Sequence, residues 1–183
     1  TVDTLLKVRD SLTLDMLDRA VQAICAANRV EFYGFGASAA VAFDAQHKFF
    51  RLQVSAAAYS DPHLQNMSAT SLAPGDVVIA ISQSGRTTTL INAIERVKSR
   101  GAIVIGIAPS GTPVAEAATI PLTIDAKEDI QIYTPLSSRI AHLVVIDVLA
   151  IGVAKHKGGQ LQEHLLDLQH GLEALRSPLK KTS

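Results

Sequence analysis

The sequence predicts an α/β fold, a three-layer αβα sandwich with a five-stranded parallel sheet. Three observations predict it. Five short apolar runs recur along the chain, helical patterns lie between most of them, and the third and fourth runs are apolar almost throughout. Strands that alternate with helices imply a parallel sheet with helices on both faces. Strands covered on both faces lose the polar alternation of a half-exposed sheet.

The elements follow in order. Residues 13–28 place Leu14, Leu17, Val21 and Ile24 at helical spacing. The strand runs are 30–34, 54–58, 77–81, 102–107 and 120–124. Between them, 38–50 and 88–99 are the clearest helices. Pro74-Gly75 marks the turn into the third strand, and Gly111-Thr112-Pro113 starts a short turn or helix before the fifth. After Asp129 the strand pattern stops. Pro135 opens a long apolar helix to about Lys155, and Gly158-Gly159 breaks it. A last helix carries Leu161, Leu165, Leu168, Leu172 and Leu175 as a short heptad seam. The expected organisation is one domain over 1–183, with a core of about 25–155 and a helical extension over 158–177.

Composition narrows the function classes. The chain has 183 residues, 48% of them hydrophobic and 19% charged, enough to bury the core of one ordinary domain. Lys and Arg number 17, as do Asp and Glu, so the formal net charge is zero. A chain that grips DNA unaided needs a basic surplus to neutralise phosphates. The most apolar stretch, 136–154, is interrupted by Arg139, His142 and Asp147, so no membrane span is expected. The N-terminus lacks a basic-then-apolar leader pattern. Cys25 is the single cysteine; it excludes an internal disulfide, fits a reducing cytoplasm and falls on the apolar side of a helix as a packed thiol. The six histidines show no metal-ligand spacing, and neither metal nor cofactor is expected. The first residue is Thr1 rather than Met, which suits a fragment of a longer protein.

The chemistry concentrates in residues 77–87. An apolar run ends in Ser82-Gln83-Ser84-Gly85-Arg86-Thr87, and a helix follows. Ser82, Ser84 and Thr87 each supply a hydroxyl donor, and Gly85 allows a tight turn. Free N–H groups and the dipole at a helix start favour an anion there. A helix cap needs one hydroxyl; three around a glycine point to an anion site. A second loop, Gly34-Phe35-Gly36-Ala37-Ser38, closes the first strand. It fails as a dinucleotide fingerprint because residue 39 is Ala and no acidic residue closes the second strand cleanly. If strands one and three are neighbours, both loops face one crevice at the C-terminal edge of the sheet. A phosphate then rests on the 82–87 loop, and Ser38 contacts the rest of the ligand.

Other polar groups are more ambiguous. Arg86 could pair a carboxylate or phosphate with its planar fork, or point to solvent. His63 is the candidate base of an isomerase, or a loop residue that lines the pocket without chemistry. Glu128 and Asp129 read as a solvated turn. Ser137 reads as a helix cap, with Arg139 in an ion pair of mixed structural role. His142 and Asp147 read as core or interface groups, and His47 and Lys48 as a solvated face.

The two loops together resemble those of the SIS (sugar isomerase) domain, over about residues 25–155. The resemblance implies a five-stranded parallel sheet between helices, with flavodoxin-like winding. It implies ligand contacts at Gly36, Ser38, Ser82, Gln83, Ser84, Gly85 and Thr87, with Arg86 and His63 as further candidates. The family contains phosphosugar isomerases and the effector domains of RpiR-type transcription regulators. Arg86 stands where isomerases commonly carry glutamate, and residues 59–67 and 136–147 are similar to segments of the regulators. The resemblance therefore implies a phosphosugar sensor without catalysis. DNA would be held only through a helix-turn-helix domain outside this chain. Within that branch the likeness to regulators of hexose catabolism implies 2-keto-3-deoxy-6-phosphogluconate as effector. The alternative is a phosphosugar aldose–ketose isomerase. The apolar 136–154 helix and the leucine stripe offer more apolar surface than one small domain covers, and predict a homodimer.

Overall fold

A computed structural model describes residues 2–126, 136–173 and 175. Helices α1 (Val2–Ser11) and α2 (Leu14–Ala26) lead into β1 (Val30–Gly34). Then follow α3 (Ala37–Arg51), β2 (Ala56–Tyr59), α4 (Pro62–Ser71), β3 (Val77–Ile81) and α5 (Thr88–Ser99). The sheet is completed by β4 (Ile103–Ala108), α6 (Pro113–Ala117) and β5 (Ile120–Thr123), and the chain returns in α7 (Ser137–Lys157) and α8 (Gly159–Glu173). The five strands lie in the order β2-β1-β3-β4-β5, and every pairing is parallel.

The side-chain alternation of the strands builds two cores. Val30 and Phe32 of β1, Val77, Ile79 and Ile81 of β3, and Ile105 and Ile107 of β4 face one side, against α2, α3 and α7. Tyr33, Val78, Ala80 and Val104 face the other, against α4, α5 and α6. This gives the expected three layers. α7 is long and apolar enough, by length and composition, to cross a membrane. Its buried residues Ala141, Val145, Ile146, Leu149 and Val153 belong to the first core.

Several boundaries differ from the sequence reading, for identifiable reasons. The second strand starts at Ala56, not at residue 54. Gln53 adopts a left-handed conformation at φ 55°, and the Val54 N–H bonds to the Phe49 carbonyl at 3.1 Å. That is a Schellman closure of α3, so Val54 is spent on the cap. The fourth strand starts one residue late in the same way, because the Ala102 N–H reaches the Val97 carbonyl at 3.3 Å around Gly101. Residues 62–71 form α4 rather than a loop. The Asp61 carboxylate accepts from the Leu64 N–H at 2.9 Å, and Pro62 occupies the first helical turn. The sequence reading also missed α1. α7 runs to Lys157 before Gly158, at φ 66°, turns the chain into α8. Glu128, Asp129 and Pro135 lie outside the described residues.

Candidate functional site

β1 and β3 are hydrogen-bonded neighbours. Their following crossovers, α3 and α5, lie on opposite faces of the sheet. The loops after the two strands therefore diverge and leave a crevice between them, the place where open parallel sheets take ligands. A pocket of about 120 Å³ opens there. It is lined by Phe35, Ala37 and Ser38 from the first loop, and by Ile81, Ser82, Gln83, Ser84 and Thr87 from the second. Clefts that bury a whole drug-sized ligand run to roughly 300–1,000 Å³, so this pocket suits the phosphate end of a ligand.

The 82–87 loop is held in shape by its own hydroxyls. Ser82 is buried, and its Oγ accepts the Gly85 N–H at 3.0 Å. Ser84 Oγ accepts the Arg86 N–H at 3.3 Å. Both bonds use the hydroxyl oxygen as acceptor, which leaves the hydroxyl hydrogen to donate to a ligand. Gly85 takes φ 64°, and its carbonyl accepts the Val114 N–H at 3.0 Å. A Cβ at Gly85 would lie 2.1 Å from Thr112 Oγ1, so the loop rests directly on the residue that opens α6. Thr112 is fixed in turn by donating to the Pro109 carbonyl at 2.7 Å.

The two helices that open on the pocket lack side-chain caps. Thr87 is the N-cap residue of α5, yet its hydroxyl makes no cap hydrogen bond. Gly36, at φ 54°, opens α3 and has no side chain to give. By contrast Thr13 caps α2 and Asp61 caps α4. No side chain caps the start of α5, which favours negative charge near its first turn, whereas at the start of α3 the Ser38 and Ala39 N–H groups already bond to the Phe35 and Gly36 carbonyls at 3.0 and 3.1 Å. The reading of Thr87 as a mere cap is thus excluded by geometry. Gly34 serves packing: a Cβ there would lie 2.6 Å from the Ser38 carbonyl oxygen, so the missing side chain lets α3 start against the strand end.

Of the residues predicted to touch ligand, Ser38, Ser82, Gln83, Ser84 and Thr87 line the pocket. Gly36 and Gly85 are outside the lining and shape the two loops through their positive φ. Arg86 is exposed and outside the lining. His63 is exposed in the first turn of α4, also outside the lining. Phe35, Ala37 and Ile81 were missed; Phe35 and Ala37 interleave the glycines of the first loop, and Ile81 is the last strand residue before the second. Beside the pocket, Ser138, Arg139 and His142 of α7 face Ala37, Ser38 and Gln83 across a narrow crevice. Ser138 and His142 are each only 2% exposed.

Other polar residues have structural roles that the sequence concealed. Glu31 is 2% exposed; it accepts from Tyr33 Oη at 2.7 Å and from Ser68 Oγ at 2.7 Å, which ties α4 to β1. Burial, then the adjacent Glu31 charge, hold the Tyr33 phenol protonated well above the usual phenol range. Lys48 pairs with Asp44 of its own helix at 2.8 Å and bridges α3 to α7 through Asp147 at 2.6 Å, so it is no free solvated lysine. Hydrogen bonds to Asp147 and Asp44 push its pKa up. Burial raises the Cys25 thiol, in line with a packed side chain.

Comparison with known proteins agrees with this geometry. The SIS domain family profile matches residues 23–152. The HTH-type transcriptional regulator HexR of Pseudomonas aeruginosa is 42% identical over 164 residues, 90% of this chain and 58% of that protein. HexR of Escherichia coli is 41% identical over 173 residues, 94% of this chain and 60% of that protein. The chain therefore spans about three fifths of the length of these regulators. Among solved structures, the NanR protein of Vibrio vulnificus complexed with ManNAc-6P superposes with a TM-score of 0.89 at 23% identity, over 96% of this chain and 67% of that one.

Proposed function

The chain belongs to the SIS domain family, and on that premise we propose that it is the phosphosugar-sensing domain of a bacterial regulator of sugar catabolism. The observation that carries the reading is the pocket at the β1/β3 switch point, where four hydroxyls and two helix starts without side-chain caps converge. Such a site binds the dianionic phosphate of a sugar phosphate without a metal or a lysine. The similarity to HexR supports a regulator, and the effector proposed is 2-keto-3-deoxy-6-phosphogluconate. Ser38, Ser82, Gln83, Ser84 and Thr87 hold the ligand. The whole protein binds DNA through a helix-turn-helix domain outside this chain, acts in the cytoplasm and works as a homodimer. The effector acts by its differential affinity for two arrangements of the paired domains.

The domain senses and does not catalyse. Isomerisation needs a base within reach of the proton it moves. Among the described residues, neither a carboxylate nor a histidine lines the pocket; His142 of the adjoining crevice is buried and already engaged, and His63 sits apart on α4. The test is titration calorimetry with 2-keto-3-deoxy-6-phosphogluconate and other sugar phosphates, paired with NMR of the same mixtures. Binding without interconversion is expected, and Ser82→Ala should weaken it by roughly ten- to a hundredfold, the worth of one hydrogen bond to a charged group. Steady interconversion that vanishes in His63→Ala would establish the isomerase instead.

A further inference from the structure

We infer that Arg139 reads the end of the ligand remote from its phosphate and selects sugar phosphates that end in a carboxylate. The inference rests on the phosphosugar reading above and extends its site to a residue that the pocket itself does not include.

The geometry begins with the course of α7. After β5 the chain returns to the α3 face of the sheet, and α7 packs against α2 and α3. That return brings the first turn of α7 to the switch point. There Ser138, Arg139 and His142 face Ala37, Ser38 and Gln83 across a crevice too narrow to hold a water molecule. Ala37, Ser38 and Gln83 also line the phosphate pocket. A ligand with its phosphate on the 82–87 loop, running past Ser38 and Gln83, therefore arrives at the first turn of α7.

The three α7 side chains differ in what they can offer. Ser138 and His142 are buried and already engaged in interactions. Arg139 is exposed, and among the described residues it pairs with no carboxylate. Phosphate binding does not require it, since the loop hydroxyls and helix starts already serve that group. Arg86, the other guanidinium close in sequence to the loop, lies outside both linings. A guanidinium fork accepts a carboxylate through two parallel hydrogen bonds, whereas a hydroxymethyl group offers it a single neutral acceptor. Arg139 thus separates sugar acids from neutral sugars of the same length.

The experiment uses two probes that share a six-carbon chain and a terminal phosphate. 6-Phosphogluconate ends in a carboxylate, and sorbitol 6-phosphate ends in a hydroxymethyl group. Calorimetry on the wild-type chain should find the acid bound about tenfold or more tighter, as expected for one charge-assisted pair. Arg139→Gln should abolish the preference and leave the affinity for sorbitol 6-phosphate within about twofold. Arg139→Lys keeps the charge without the fork, so it should retain part of the preference; it serves also if the glutamine variant fails to fold. Arg86→Gln should keep the full preference. A folded Arg139→Gln or Arg139→Lys variant with undiminished preference, or its loss in Arg86→Gln, overturns the assignment. Equal binding of both probes by the wild type, lost in Ser82→Ala, overturns it while sustaining the phosphosugar site. Binding of neither probe overturns the sensor reading and this inference with it.

Discussion

Gly85 decides more about the site than its size suggests. Its φ of 64° suits glycine, and any Cβ would strike Thr112, which is itself tied to the loop after β4. Gly85→Ala must strain the backbone or displace Thr112. Such strain and overpacking cost about 1–3 kcal/mol. Urea denaturation should show a loss in that range, and phosphate affinity should fall with it because the Ser82–Gly85 bond moves. A variant as stable and as tightly binding as the wild type would remove the glycine from this role. Ser82 works at the same scale: one atom shapes the loop as acceptor and remains free to serve a ligand as donor.

At the scale of elements, two helix starts with the same residue type behave differently. Thr13 accepts the Met16 N–H at 3.3 Å and caps α2, whereas Thr87 opens α5 and caps nothing. Thr13→Ala should therefore lower stability by about 1 kcal/mol, the usual cost of a lost cap. Thr87→Ala should leave the ligand-free stability almost unchanged and weaken phosphate binding. Denaturation of both variants with and without a sugar phosphate separates the two roles. A stability loss in ligand-free Thr87→Ala that matches Thr13→Ala would make Thr87 a structural cap. The β1–α4 connection is the other element-level device. The Glu31 cluster anchors α4 to the sheet from beneath, with Arg29 reaching both Glu31 at 3.5 Å and Asp76 at 3.2 Å.

At the scale of the whole molecule, the α3, α7 and α8 side carries an exposed apolar patch. Phe50, Ile151, Leu166 and Leu172 are each at least half exposed there. A groove of about 410 Å³ between the three helices is lined by Leu52, Ala150, Ile151, Ala154 and Leu165, together with the charged Lys48, Arg51 and Asp147. Exposed patches of this kind mark interfaces, and a two-fold axis lets one patch cover its own copy. Light scattering should find a dimer at micromolar concentration, and Ile151→Glu should shift it toward monomer. A wild-type monomer would reject the pairing.

The sequence by itself determined the layered architecture and named five of the eight residues that line the crevice pocket. Continuous apolar runs such as Val77–Ile81 can be buried on both faces only in a parallel sheet between helices. The hydroxyl cluster after that strand is local in sequence, so its chemistry was legible without coordinates. Local signals also misled where one residue could serve two elements. Val54 and Ala102 have strand-forming neighbours, yet their N–H groups close the preceding helices, and only the observed backbone geometry assigns them. Asp61-Pro62 was a readable helix start that a loop assignment overlooked. The tertiary structure alone decided which distant groups meet. Strand order set β1 beside β3 and so joined two loops more than forty residues apart. The return of α7 carried Arg139 to Ser38 and Gln83, while Arg86 and His63, though near the loops in sequence or in expectation, fell outside the pocket. Periodicity records which face of an element is buried; it holds no record of which element lies opposite, because packing between layers is set by crossovers that span the whole chain.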